Sequence, residues 1–163
     1  STLVAKIAES RGWRSMNGGD VFREEARSRG LTVEELSSEA KEDPGVDRHL
    51  DDLLQKRMSS PESPEIVESR LSGWWAHKND IDCLRVWVSV SEKERARRIQ
   101  KREGGEFADC LQRSQQRQED DMDRYSSLYG IDLDDMSPYH LVIDADSKDE
   151  FQVFYEVDAI LER

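Results

Sequence analysis

The sequence predicts an α/β fold built on a parallel sheet, and three observations support this. Short runs suited to strands recur along the chain: "WRSMN" at 13–17, "EIVES" at 65–69, "CLRVWVSV" at 83–90 and "HLVIDA" at 140–145. Segments with helical spacing of apolar residues alternate with them, and that alternation implies parallel strands covered on both faces. Polar clusters then follow three of the strands, "NGGD", "SRLSGWW" and "SEKERARR". In such sheets ligands gather at the carboxyl ends of the strands, where loops enter helices.

Each element has its local reason. Thr2 to Ser10 places Leu3, Ile7 and Ala8 at helical spacing, and Gly12 stops the helix. Asp20 to Arg29 is a second helix, with Gly30 as its stop. "TVEE" from Thr32 has capping-box form and opens a third. A fourth runs from Asp43 or Pro44 to Met58, before the turn-rich "SSPESP". Glu92 to Arg102 is helical, "GG" interrupts, and a long polar helix extends from Glu106 to Leu128. The tail from Lys148 to Leu161 puts Phe151, Phe154, Val157 and Leu161 on one face.

Composition narrows the function. At 163 residues the chain suits one domain with one core. Charged residues make up 37% of it and the net charge is -12, which argues against an extended grip on nucleic acid or an anionic membrane. A small anionic substrate remains open, because clustered arginines hold phosphate even in an acidic protein. No apolar run approaches the roughly 18 to 20 residues of a membrane span, and no signal-peptide pattern appears, so a cytoplasmic protein is expected. Cys83 and Cys110 read as reduced structural cysteines, and His49, His77 and His140 lack metal-ligand spacing. Arginine in excess of lysine on an acidic chain hints at a salt-adapted cytoplasm.

In a P-loop the glycines and lysine lead into a helix that begins Ser or Thr and continues apolar at helical spacing. The chain has this form from Ser1, although Ser1 alone reads as an ordinary N-cap. The rest of the chain supplies the context. The segments "GGDVFREEA", "EDPGVDRHLDD", "ESRLSGWW", "SEKERARRIQKREG" and "RQEDDMDRYSSLYGIDLDDMSPYHLVIDAD", in that order, closely resemble the cytidylate kinase family, particularly its archaeal-type members. The likeness spans nearly the whole chain. It implies a P-loop NTPase-type three-layer α/β/α domain with a parallel sheet, a helical acceptor-binding insert at about 18–62 and a short lid at about 95–112. It also implies that the sequence begins just after the P-loop lysine. The activity it implies is transfer of the γ-phosphoryl group of Mg·ATP to CMP or dCMP by a monomer with no nucleic-acid or membrane partner.

Phosphoryl transfer brings two polyanions together, so the expected site is rich in guanidinium groups. By resemblance Ser1 is the hydroxyl that ligates Mg²⁺, and Thr2 lies beside the nucleotide phosphates. Arg23 would hold the acceptor phosphate beside Gly18 and Gly19; otherwise it is a solvated helical arginine paired back to Asp20. The family's paired aspartates appear as Asp47 and Asp51, but Asp52 replaces the arginine that often comes next, so Arg48 is the substitute acceptor-side cation or one more solvated charge. Arg70 matches the arginine of a Gly-Arg pair that reaches the acceptor nucleotide. Ser69 replaces that glycine, and Leu71 stands where bacterial members place an aspartate that contacts cytosine.

Arg95 and Arg98 share a face of the expected lid helix and would meet the transferring phosphoryl group; the alternative is a solvated face paired with Glu92 and Glu94. Spacings of four and three place Arg117, Asp121 and Arg124 on one helical face. The family counterparts bind phosphates and the cytosine edge, the carboxylate accepting from the exocyclic amine. Trp74 and Trp75 read as packing, and "YGIDLDD" as an ordered connection rather than a calcium loop. The competing functions are a kinase for another monophosphate and a non-catalytic module of the same fold.

Overall fold

In the computed structural model, which describes residues 1–162, helix α1 (Thr2–Arg11) opens the chain and ends at Gly12, whose φ of 65° places it in the left-handed region that glycine enters without strain. The chain falls into two units, Ser1–Arg85 with the chain end from Asp158, and Val86–Val157.

In the first unit β1 (Ser15–Asn17) leads directly into α2 (Gly18–Ser28), then α3 (Val33–Glu42), α4 (Pro44–Met58), β2 (Ile66–Glu68) and α5 (Ser72–Lys78). β1 and β2 pair in parallel with Met16 opposite Val67, so the three helices between them form the crossover a parallel pair requires. Helix α2 starts two residues earlier than the sequence suggests. Asn17 and Asp20 form a capping box there, so "GGD" is a first helical turn rather than a loop. Thr32 and Glu35 cap α3 in the same way, and Pro44 occupies the first turn of α4. The three helices close over Ala26, Leu36 and Val46, with Phe22, Leu31 and Leu50 packed around them. Helix α5 was not expected: it is short, contains Gly73 and has no side-chain cap, and burial of Trp75 and Ala76 holds it.

In the second unit β3 (Val86–Ser89), α6 (Glu92–Glu103), α7 (Phe107–Tyr129) and β4 (Leu141–Asp144) form a second parallel crossover, with Val88 opposite Ile143. Each strand is shorter than its apolar run. Gly104 and Gly105, at φ 77° and 91°, let the chain turn sharply between α6 and α7. Ala96, Cys110, Ile131, Leu133 and Ile143 fill the core. Helix α8 (Glu150–Leu161) buries Val153 and Val157, whereas Phe151 is exposed. The expected stripe of Phe151, Phe154, Val157 and Leu161 is therefore rotated, because Val153 and Val157, one turn apart, set the packed face. Among the described residues, no helix is long and apolar enough to cross a membrane.

Candidate functional site

In the first unit the chemistry collects where β1 and β2 end. The Ser1 hydroxyl oxygen caps α1 by accepting from the Val4 N–H at 3.2 Å, and the Ser1 backbone nitrogen lies 3.5 Å from Glu68 Oε2. The amino end of α1 thus stands beside the carboxyl end of β2. Thr2, one residue on, is exposed.

At the end of β1 a single carboxylate has two tasks. Asp20 Oδ2 accepts from the Asn17 N–H at 3.0 Å, while Oδ1 holds Arg23 Nη2 at 2.6 Å. The Asn17 backbone bond first, and then the Arg23 guanidinium, hold the Asp20 carboxyl below its usual range. Arg23 is folded back over the first turn, where a Cβ on Gly19 would stand 3.1 Å from its Nη1. Glycine at 19 therefore leaves room for the guanidinium. Gly18 faces Ser69: an added Cβ there would meet the Ser69 Cβ at 3.7 Å, an ordinary contact. The leading N–H groups of α2 have no carbonyl partners within the helix, so this end suits an anion.

Arg70 is half-buried between β2 and α5, in a turn where the Ser72 hydroxyl accepts from the Ser69 N–H at 3.2 Å and donates to the Ser69 carbonyl at 3.1 Å. Leu71 is 3% exposed, so its side chain belongs to the core. Arg48 is exposed on α4, next to His49, whose Nε2 lies 3.3 Å from Glu25 Oε1 on α2. Trp75 is buried, as a packing role requires.

In the second unit Arg95 Nη2 donates to the Val90 carbonyl at 3.0 Å. It lines a 320 Å³ cavity with Trp87, Ser89, Gln118, Asp134 and Met136. Arg98 Nε donates to Glu94 Oε1 at 3.3 Å, and Glu94 also takes Arg97 at 3.2 Å. On α7 Asp121 is 9% exposed and binds Arg124 Nη2 at 2.9 Å through Oδ1. The Arg124 guanidinium also lies over the Tyr125 ring, 5.0 Å from its centroid. Arg117, one turn before Asp121, is exposed.

The other polar motifs have structural explanations. Asp132 and Asp135 accept from the N–H groups of Asp134 and Ser137, both at 2.9 Å, so the acidic loop spends these carboxylates on its own turns. Among the described residues, no group of three His, Cys, Asp or Glu side chains could hold a metal. Cys83 and Cys110 are free thiols. Sequence reasoning anticipated the Arg23–Asp20 pair but missed the capping of the Asn17 N–H by Asp20, and it missed the cavity residues Trp87, Gln118 and Asp134. The Asn17 to Asp20 spacing was the legible signal for the first; the cavity residues lie on separate elements and left none.

Comparison with known proteins gives this geometry its family. Residues 1–147 match the cytidylate kinase-like family. The chain belongs to that family. It is 42% identical over 150 residues to a cytidylate kinase of Archaeoglobus fulgidus, covering 91% of this chain and 81% of the relative. It is 32% identical over 174 residues to a cytidylate kinase of Methanopyrus kandleri, covering 100% and 89%. Among solved structures, an uncharacterized protein from Eubacterium ventriosum superposes with a TM-score of 0.73 at 11% identity, covering 98% of this chain and 89% of that one. The last likeness concerns the fold alone, and it agrees with the mixed α/β, P-loop NTPase-type architecture of a cytidylate kinase-like protein.

Proposed function

We propose that this chain works as a cytidylate kinase that transfers the γ-phosphoryl group of ATP to CMP or dCMP, giving ADP and CDP or dCDP. The observation that carries the reading is the sequence match to cytidylate kinases over nine-tenths or more of the chain. The placement of arginines at strand ends adds support.

In the reaction an oxygen of the acceptor phosphate forms a bond to the γ-phosphorus, and the bond from that phosphorus to the β,γ-bridging oxygen breaks. The protein supplies position and positive charge rather than covalent chemistry. In the first unit Arg23 and Arg70, with Arg48 on the neighbouring helix, are assigned to the acceptor phosphate. Gly18 and Gly19 offer backbone N–H groups without a side chain in the way. In the second unit Arg95, Arg98 and Arg117 are assigned to the transferring phosphoryl group, and Asp121 with Arg124 to the cytosine edge and phosphates. Asp121 suits cytosine because a buried carboxylate accepts from an exocyclic amine.

Mg²⁺ neutralises phosphate charge when bound. The residues present fit it in a restricted sense: Ser1 offers a hydroxyl at a helix start, and with no carboxylate cluster among the described residues most of the remaining ligands would be phosphate oxygens and water, as is usual for this ion. Thr2 is assigned to the donor phosphates at the same helix end. The reading includes an insert at about 18–62, a lid at about 95–112 and a cytoplasmic monomer, and the net charge of -12 speaks against a polyanionic partner.

The test is a coupled ADP-release assay on the full-length protein with Mg·ATP and a panel of CMP, dCMP, UMP and AMP. Turnover led by CMP or dCMP is expected. Turnover led by UMP or AMP reassigns the acceptor, and none with any of the four leaves a nucleotide- or protein-binding module.

A further inference from the structure

The peptide unit joining Val90 to Ser91 is gripped at both polar ends. Its carbonyl, that of Val90, accepts from Arg95 Nη2 at 3.0 Å. Its N–H, that of Ser91, donates to Asp146 Oδ1 at 2.9 Å. Asp146 lies 55 residues further along the chain, in the turn after β4. That turn is itself fixed. Ala145 N–H donates to the Ser89 carbonyl at 2.9 Å, extending the β3–β4 ladder, and Asp146 N–H donates to Asp144 Oδ1 at 3.0 Å. Ser91 is also the N-cap of α6: its hydroxyl oxygen accepts from the Glu94 N–H at 3.2 Å, and its carbonyl accepts the Arg95 N–H at 2.9 Å.

A peptide group is planar, so fixing its N–H fixes the direction of its carbonyl. We infer that Asp146 is a positioning residue: by holding the Ser91 N–H it orients the Val90 carbonyl, which in turn aims the Arg95 guanidinium into the cavity beside Trp87 and Gln118. The deduction rests on the assignment of Arg95 to the transferring phosphoryl group. It adds to that assignment the group that sets the arginine's angle. The Ser91 hydroxyl, and then its N–H, hold the Asp146 carboxyl below its usual range. The charges of Arg98 and Arg97 on α6 add to the same effect.

Two measurements test this on the full-length protein. In steady-state kinetics Asp146→Ala lowers kcat by about 10-fold or more, because a misdirected arginine is lost chiefly in the transition state, while KM for CMP changes little. Asp146→Asn, whose amide oxygen still accepts from the Ser91 N–H, recovers most of that loss. In the Arg95→Met background, Asp146→Ala costs little more. Equal losses with and without Arg95, or failure of Asp146→Asn to recover activity, overturn the proposal. The second measurement is a thermal-stability cycle on four proteins: wild type, Asp146→Ala, Arg95→Met and the pair. Coupling between positions 95 and 146 is expected, and additive Tm changes overturn the link. That cycle needs no turnover, so a wild type inactive on every monophosphate refutes the kinase reading while the cycle still decides whether Asp146 and Arg95 act together.

Discussion

Replacing Asp121 with asparagine separates a substrate contact from a structural ion pair, because the two roles predict different magnitudes. The Asp121 side chain is 13% exposed, but that of its partner Arg124 is 42% exposed and one turn away on the same helix. A pair with one partner so open to water contributes about 0.3–1 kcal/mol to folding. Loss of stability in Asp121→Asn should therefore stay below about 1 kcal/mol. A charge-assisted hydrogen bond to the cytosine amine in the same sheltered position is worth about 1.5–3 kcal/mol. At about 1.36 kcal/mol per decade, that is about a 10- to 150-fold loss in kcat/KM for CMP. The asparagine amide also donates where the carboxylate could only accept, so it favours the O4 carbonyl of uracil, and discrimination against UMP falls. The assay is coupled ADP release with CMP or UMP varied at saturating ATP, beside urea denaturation of the same protein. Unchanged kcat/KM for CMP, or a stability loss that accounts for the whole activity loss, would refute the reasoning.

Other expected outcomes concern the acceptor arginine, the helical core and the response to pH. Arg23→Ala raises KM for CMP by about 10-fold or more with stability nearly unchanged, since the Arg23–Asp20 pair is 55% and 47% exposed and such pairs give under about 1 kcal/mol; KM and a urea midpoint check it. Leu36→Ala, at a fully buried position, costs about 2–5 kcal/mol in urea unfolding, and KM for CMP rises with it because α2 and α4, which pack on this core, carry Arg23 and Arg48. Glu24 and Glu25, held down chiefly by hydrogen bonds from Arg57 and Arg29, and Asp20, held down chiefly by Asn17, have folded values below the ordinary 4.5 and 3.8. Their stabilisation is complete above those ordinary values and is lost as pH falls through the lowered folded ones, so Tm scanned against pH declines below about 4.5. At the alkaline end burial pushes the Tyr139 phenol up to about 12; its contribution is complete below its ordinary value of 10 and is lost as pH rises from there toward 12. The Tyr139→Phe variant should lose that part of the decline.

Much of the fold was legible because caps and stops are local. Gly12, the Thr32–Glu35 box and Pro44 each fix a helix end through backbone groups within one turn. The start of α2 was misplaced because two glycines look like loop until Asn17 is seen to cap them. Helix α5 was hidden because packing of Trp75, not propensity, sustains it. The packed face of α8 was rotated because Val153 joins Val157 in the core while Phe151 stays outside, and only tertiary contacts choose between the valine and phenylalanine faces. The arginines were legible as a set but not in their detail. Helical spacing anticipated the Arg23–Asp20 pair, whereas nothing in the sequence indicates that Arg95 turns back onto the carbonyl of Val90. Such a contact depends on how the chain enters the helix, and that is settled by residues far away in sequence.

The division of the chain into two units also divides its chromophores. Of the four tryptophans, Trp13, Trp74 and Trp75 belong to the first unit, and Trp87 on β3 belongs to the second. Trp87 meets the Tyr139 ring edge-on with centroids 5.4 Å apart, so its emission senses the seam between β3 and the loop before β4. With the other three replaced by phenylalanine, the remaining fluorescence reports the second unit alone, and removing Trp87 instead leaves a reporter of the first. The protein thus carries two optical channels that can be read separately, and a denaturation curve recorded in each shows whether the two units melt in one cooperative step or in succession.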